Sequence, residues 1–353
     1  MLRSSWRARA RPLARSPVRV QARGVRIPPE YLLDYYRPQM TLVTDDVADA
    51  KLAHARRALS NCRLCPHDCA VDRHTATGFC QLGAATVPVN VVAPHFGEEP
   101  AISGYNGSGT IFFSSCNLRC VFCQNYEFSH RRDGEMLGPE QIKDWMVKLQ
   151  DLGNCHNINF VTPEHVVPVV VEAILLARDQ LRIPIVYNTS SFDSAESLAM
   201  LDGLVDIYLA DFKLMSPALS RRYLKSDKYP AAARDALVEM HRQVGPLKFT
   251  ADGLAKKGVL VRHLVMPGLA DEGKAIMRFL AEEVSPDTFV HVMGQYFPSG
   301  HVGRKPPTKS VQGERYSELN RPATDAEIDA VTDEARRVGL WRFNQPEEYA
   351  MFS

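Results

Sequence analysis

Cys116, Cys120 and Cys123 fall within eight residues, Cys116-Asn-Leu-Arg-Cys-Val-Phe-Cys123, directly after the apolar run Thr110-Ile-Phe-Phe113. A buried strand followed by a short loop carrying three thiolates is a ligand set for zinc or for an iron–sulfur cluster. A structural zinc takes four protein ligands, so zinc here would need a fourth such as His130 or Cys155. A four-iron cubane on three thiolates leaves one iron open to a substrate or cofactor. Disulfides belong to oxidising compartments, and plain buried thiols are the remaining alternative.

A second group comprises Cys62, Cys65, Cys69 and Cys80. Four cysteines at this density can close one site, for zinc or for an auxiliary iron–sulfur cluster, and the spacing does not separate the two. His67 and His74 lie among them as substitute ligands or surface histidines. Cys155 stands apart and reads as a small buried hydrophobe.

The elements that must position these thiols follow from the pattern. From residue 105 onward strand-like and helix-like segments alternate. Strands are predicted at 110–114, 157–161, 183–187, 206–212, 258–265 and 288–293, with helices at 138–152, 166–178, 193–201, 229–244 and 271–283. Repeated strand–helix units predict a parallel sheet with right-handed crossovers. The fold class is α/β, a partial (β/α)6 TIM-type barrel in which the strand C-termini carry the site. The cysteine loop lies at that end. The chain divides into a leader (1–29), a helix and Cys-rich segment (30–100), the barrel (101–300) and a C-terminal tail (301–353). In the tail, Thr324 and Glu327 match a capping box and Gly339 ends the helix.

The chain has 353 residues, 45% of them hydrophobic and 24% charged, enough to bury a substantial core. No run of about 18 apolar residues reads as a membrane span. Residues 1–29 contain eight arginines and no Asp or Glu, the composition of a mitochondrial targeting segment, with a basic arm or plain tail as alternatives. Without those eight, 34 basic residues face 41 acidic ones, near −7. That balance argues against a general nucleic-acid-binding surface.

The x3-x2 cysteine spacing, with Phe122 before the last cysteine, is similar to the signature of the radical S-adenosylmethionine (radical SAM) enzymes. From about 58 to 345 the chain resembles the branch related to pyruvate formate-lyase activating enzymes with an N-terminal cysteine motif. The supporting stretches are Cys62-Arg-Leu-Cys-Pro-His-Asp-Cys69 with Gly78-Phe-Cys80, His156-Asn-Ile-Asn-Phe-Val-Thr-Pro163, Val261-Arg-His-Leu-Val-Met-Pro-Gly268 and Gly294-Gln-Tyr-Phe-Pro298. The resemblance implies a 4Fe-4S cluster on Cys116, Cys120 and Cys123, S-adenosylmethionine on its open iron, and reductive cleavage to a 5'-deoxyadenosyl radical that abstracts hydrogen from a substrate. It also implies a flavodoxin- or ferredoxin-type electron donor. The substrate expectation is a glycyl-radical partner protein, with a small molecule or RNA as alternatives; a non-catalytic cluster or zinc protein is the reading from a different class.

The superfamily's Gly-Gly-Glu-Pro turn is here Thr162-Pro-Glu-His165, lacking the glycines. The cofactor-binding expectations are Thr162 and Glu164 at that turn, Asn188 and Ser190 after the third strand, and Asp211 and Lys213 at the fourth. For Glu164 the alternative is a solvent-facing loop carboxylate, and for Asp211 and Lys213 a local ion pair. Arg262, His263, Gln295 and Tyr296 would face substrate, His263 alone reading better as a satisfied core histidine.

Overall fold

The structure, a computed structural model, describes residues 27–304 and 314–344. Most of the arginine-rich leader lies outside them. The strands are β1 (Val87–His95), β2 (Ser108–Phe113), β3 (Glu135–Leu137), β4 (Ile158–Val161), β5 (Ile185–Thr189), β6 (Ile207–Asp211), β7 (Lys248–Phe249), β8 (Ala255–Leu264), β9 (Phe289–Met293) and β10 (Arg342–Phe343). The helices are α1 (Asp45–Ser60), α2 (Pro100–Ser103), α3 (Tyr126–Ser129), α4 (Pro139–Asp151), α5 (Val167–Ala177), α6 (Ala195–Leu201), α7 (Pro217–Tyr223), α8 (Tyr229–Val244), α9 (Ala270–Phe279) and α10 (Asp325–Arg337).

One sheet runs β10-β9-β8-β6-β5-β4-β2-β1-β3, with β7 beside β8. From β2 to β10 along this path every pair is parallel; β1 and β3 add antiparallel strands at the other edge. The two ends do not meet, so the barrel is partial. The six expected parallel strands are β2, β4, β5, β6, β8 and β9. β5, predicted at 183–187, is shifted by two residues at both ends. Pro184 has no N–H to give a ladder, while its carbonyl accepts from Ile158 N–H at 2.9 Å. The strand therefore begins later and keeps Asn188 and Thr189 within it.

Local chemistry explains several helix boundaries. Pro139 occupies the first turn of α4, and Gly138 N–H donates to the Gln141 side chain at 2.7 Å. α5 is rich in valine, a modest helix former; Val167, Val169, Val170 and Val171 are all buried, so tertiary packing overrides propensity. The capping box of α10 forms as expected, Thr324 N–H donating to Glu327 Oε2 at 2.8 Å and Glu327 N–H to Thr324 Oγ1 at 3.3 Å. Gly339 follows with φ +94°. No helix among the described residues is long and apolar enough to cross a membrane.

The two faces of the sheet bury different things. Ile111, Phe113, Phe160, Tyr187, Tyr208, Phe212 and Val261 pack with the helices. The inner face is closed at one end by Ala101 and Ile102 of α2 and by Phe249, packed on Val186, Ile207, Leu209, Leu260 and Phe289. Side chains alternate along a strand, so the next inward residues toward the C-terminal ends are Asn188, Asp211 and Arg262. The apolar plug thus gives way to a polar layer, and the site opens above it.

Candidate functional site

A cavity of about 650 Å³ lies at the C-terminal ends of the parallel strands. Its lining includes Cys116, Cys120, Cys123, Thr162, Glu164, Asn188, Ser190, Asp211 and Lys213. All three expected thiols and all six expected cofactor-binding residues therefore meet on one cavity.

The cysteine loop is held by backbone bonds from three directions. Ser115, at φ +68°, donates its N–H to Phe128 O at 3.0 Å. Val121 N–H donates to Tyr223 O at 2.8 Å, and His301 N–H to Val121 O at 2.7 Å. The Leu118 amide points at Cys116 Sγ, 3.3 Å away. Burial pushes the Cys116 thiol well above its ordinary value, with Glu164 and Cys120 adding to the effect. Burial raises Cys120 to about 12 even though Lys213 works in the opposite direction. Metal binding must therefore displace protons. Lys213 supplies a cation beside the place where thiolate charge would collect.

Neither proposed zinc partner joins this trio. Cys155 is buried elsewhere, against Gly109 and Gly153. His130 Nδ1 pairs with Ser129 Oγ at 2.9 Å, and it is Ser129 Oγ that lies 3.0 Å from Cys123 Sγ. Among the described residues no three His, Cys, Asp or Glu side chains are arranged to hold a single metal ion. Three thiols on one cavity fit a group held by three thiolates with a face left open to the cavity.

Gly300 backs the loop at φ +62°, where an added Cβ would come 2.7 Å from Val121 O and 3.2 Å from Cys123 N. Gly300→Ala is expected to destabilise the fold by about 2–3 kcal/mol, combining left-handed strain with overpacking. It should also lower iron retained per chain after reconstitution, checked by thermal melting and metal analysis.

Glu164 is not the solvent-facing carboxylate allowed as its alternative. It is fully buried; Oε1 accepts from Thr189 Oγ1 at 3.0 Å and from Ser190 N–H, while Oε2 has no partner. Thr189 Oγ1 also lies 2.6 Å from Asp193 Oδ2. Burial, then the neighbouring Glu164, raises the Asp193 carboxyl to about 7. Thr162 has φ +58°, so a threonine holds the left-handed backbone that glycine adopts without strain. Thr162, Ser115 and Ser191 (φ +62°) all follow strand ends at the site, where backbone strain commonly collects.

The ion-pair alternative for Asp211 and Lys213 is real, and larger than a pair. Lys213 Nζ donates to Asp211 Oδ2 at 2.8 Å. Arg262 donates through Nε to Asp211 Oδ1 at 2.7 Å, through one terminal nitrogen to Glu98 Oε1 at 2.9 Å, and through the other to Asn188 Oδ1 at 2.9 Å. Asn188 Nδ2 returns to Glu98 Oε2 at 2.9 Å. Burial alone would raise Asp211, but Arg262 and then Lys213 hold it down at about 2. Both amide atoms of Asn188 are thus committed within the protein, whereas buried Ser190 Oγ has no partner.

Of the later residues, Arg262 and Gln295 line the cavity. His263 and Tyr296 do not face it. They alternate to the other side, where His263 Nδ1 donates to Phe212 O at 2.8 Å and Tyr296 OH to Leu319 O at 3.0 Å. Burial lowers His263 to about 4. A folded-state value below the unfolded one near 6.5 means that stability is lost as pH falls through that interval. Between pH 7 and pH 5, wild type is expected to lose about 2 kcal/mol more than His263→Gln, measured by urea unfolding of both proteins.

Sequence reasoning missed Glu98 and Tyr229. Tyr229 OH accepts from Lys213 N–H at 2.9 Å and lies 2.9 Å from Ser190 O and 3.0 Å from Asp211 O, tying the ends of β5 and β6 together. A helix-initial tyrosine carries no local signal of that role. Glu98 belongs to an acidic pair in an irregular loop, and only its buried neighbours distinguish it.

Residues 110–280 match the family model described as Radical SAM superfamily. The chain carries a radical SAM domain. It is an enzyme, and the domain implies a 4Fe-4S cluster and S-adenosylmethionine as cofactors. The chain is 28% identical over 320 residues to an uncharacterized protein of Methanocaldococcus jannaschii, covering 87% of this chain and 82% of the relative. Solved structures similar to it include SuiB of Streptococcus suis bound to S-adenosylmethionine, with TM-score 0.43, 11% identity, and coverage of 65% of this chain and 47% of SuiB. Methylornithine synthase (PylB) aligns with TM-score 0.42 and 15% identity over 89% of this chain and 77% of that one. The residues present fit the implied cofactors: three thiols, a lysine ammonium and the unpartnered oxygens of Glu164 and Ser190 share one cavity.

Proposed function

We propose that this radical SAM enzyme holds its cluster on Cys116, Cys120 and Cys123, binds S-adenosylmethionine along the turn from Thr162 to Glu164, and directs hydrogen abstraction from a substrate entering the same cavity. The observation that carries this reading is the meeting of the three thiols with the buried, half-partnered Glu164 on one cavity. When bound, the cofactors supply one-electron cleavage of the sulfonium and the 5'-deoxyadenosyl radical.

The protein contributes position and charge. Glu164 Oε2 is the acceptor for the cofactor's ammonium, and Ser190 Oγ is a polar contact beside it. Lys213, held by Asp211, sets positive charge against the thiolates. Arg262, Glu98 and Asn188 keep the strand ends in register beneath them. For the hydrogen donor we propose a glycine of a partner protein, as the resemblance to glycyl-radical activating enzymes implies. A low-potential flavodoxin- or ferredoxin-type donor supplies the electron, and the arginine-rich leader adds a mitochondrial matrix location to the proposal.

Glu164→Gln tests the cofactor site. Losing a charge-assisted bond of about 1.5–3 kcal/mol is expected to raise KM for S-adenosylmethionine about 10- to 100-fold in the 5'-deoxyadenosine assay, with cluster iron unchanged. An unchanged KM would remove Glu164 from the cofactor's ammonium. Incubating the reduced enzyme with a candidate glycyl-radical protein and looking for its organic radical signal tests the substrate.

A further inference from the structure

The remaining four thiols have no part in the cavity. Cys62, Cys65, Cys69 and Cys80 lie in residues 61–86, a stretch without helix or strand between α1 and β1. Structureless loops beyond about 12–15 residues are uncommon in compact domains. This one is nonetheless fixed in place. Arg73 within it is 3% exposed and donates to Leu82 O, Gly83 O and His165 O at 2.8–3.0 Å.

Its backbone is strained around the cysteines. Asp68 and Ala70, on either side of Cys69, both have φ +52°, and Gln81, after Cys80, has φ +62°. Such conformations persist where the surroundings over-determine them, and they cluster at bound groups. The Phe79 amide points at Cys69 Sγ, 3.4 Å away, as the Leu118 amide points at Cys116 Sγ in the first group. N–H contacts to sulfur tune thiolate ligands and the clusters they hold. Cys62 and Cys80 are near enough to Cys65 to raise its thiol, although burial is the larger cause. All eight cysteines are free of disulfides.

The four thiols resemble the trio of the cluster-binding domain in having a backbone amide aimed at one sulfur of the group. We propose that Cys62, Cys65, Cys69 and Cys80 ligate a second 4Fe-4S cluster, closed by four cysteines and adjacent to the first.

The adjacency is direct. Asn117, next to Cys116, receives His67 Nε2–H at its carbonyl at 2.7 Å, and its side-chain amide donates to the Cys65 sulfur, which favours the thiolate. Asn117 Oδ1 is also 3.8 Å from Cys116 Sγ. Ser115 Oγ donates to Cys80 O at 2.7 Å. One residue thus touches a thiol of each group. The second cluster accepts one electron from the low-potential donor, which is oxidised by one electron, and passes it to the first cluster. No atom or proton moves in that transfer. The choice of cluster over zinc leans on the comparison with the first trio, so the test separates the two sites.

The full chain with Cys116, Cys120 and Cys123 all changed to alanine is reconstituted anaerobically with iron and sulfide, zinc being present in equal amount. About four irons per chain are expected to remain, against about eight in wild type. Bound zinc without iron, or no metal, would overturn the proposal whether or not the wild type cleaves S-adenosylmethionine. Because a triple variant can fail to fold, Cys62→Ala/Cys65→Ala is run in parallel and is expected to lose half of the wild-type iron; full retention would count against the site. Electron paramagnetic resonance of the dithionite-reduced wild type should show signals broadened by mutual interaction, and two sharp, independent signals would overturn the adjacency.

Discussion

Cys120→Ala is expected to remain folded while losing S-adenosylmethionine cleavage by at least about a thousandfold, equivalent to more than about 4 kcal/mol of barrier. The loop around Cys120 is fixed by main-chain bonds, from Arg119 N–H to Leu224 O and from Val121 N–H to Tyr223 O, and these survive removal of the thiol. The ligand itself does not survive. The cavity is lined by three cysteines, and removing one leaves two thiol ligands. Cys155→Ala is the matched control, because Cys155 is buried against Gly109 and Gly153 away from the trio. It should reconstitute and cleave as wild type does. The measurement is 5'-deoxyadenosine formed after anaerobic reconstitution and dithionite reduction, with circular dichroism melting alongside. Cleavage at the wild-type rate by Cys120→Ala would end the assignment of this loop to the cluster.

The second large effect is expected at Arg262, which carries no cofactor ligand. Its three contacts to Asp211, Glu98 and Asn188 lie within the barrel, where its side chain is 15% exposed and that of Glu98 is 9% exposed. Removing one member of a buried ion network strands the others and typically costs about 3–5 kcal/mol. Arg262→Leu should lose stability on that scale in urea. Asp211 keeps Lys213 as a partner, so the stranded charge is chiefly Glu98. Adding Glu98→Gln to Arg262→Leu should therefore recover part of the loss. A lysine at 262 could satisfy one contact but not three in a plane. Cleavage should fall about a hundredfold in Arg262→Leu, since small displacements of positioning groups cost that much. An Arg262→Leu protein as stable as wild type would show that the network contributes packing alone.

Parts of this arrangement were legible in the residue order. The x3-x2 cysteines after an apolar strand, the alternation of strands with helices, and the capping box at Thr324 are local patterns, and local patterns survive translation into structure. Alternation also separates Arg262 from His263, adjacent residues on opposite faces of β8. The same rule sends His263 to Phe212 O, the satisfied core histidine that its sequence context favours, while Arg262 faces the cavity.

Other parts required the fold. The order of residues could assign thiols to a loop, because neighbouring positions and backbone stereochemistry decide local geometry. It could not say that Glu98, from an irregular loop, meets Arg262 from β8 across 164 residues of chain. Nor could it say that Glu164 is buried with one oxygen unpartnered, or that Asn117 touches a cysteine of each group. Burial and charge pairing depend on which distant segments share a volume, and only the closing of the sheet around α2 and the cavity determines that.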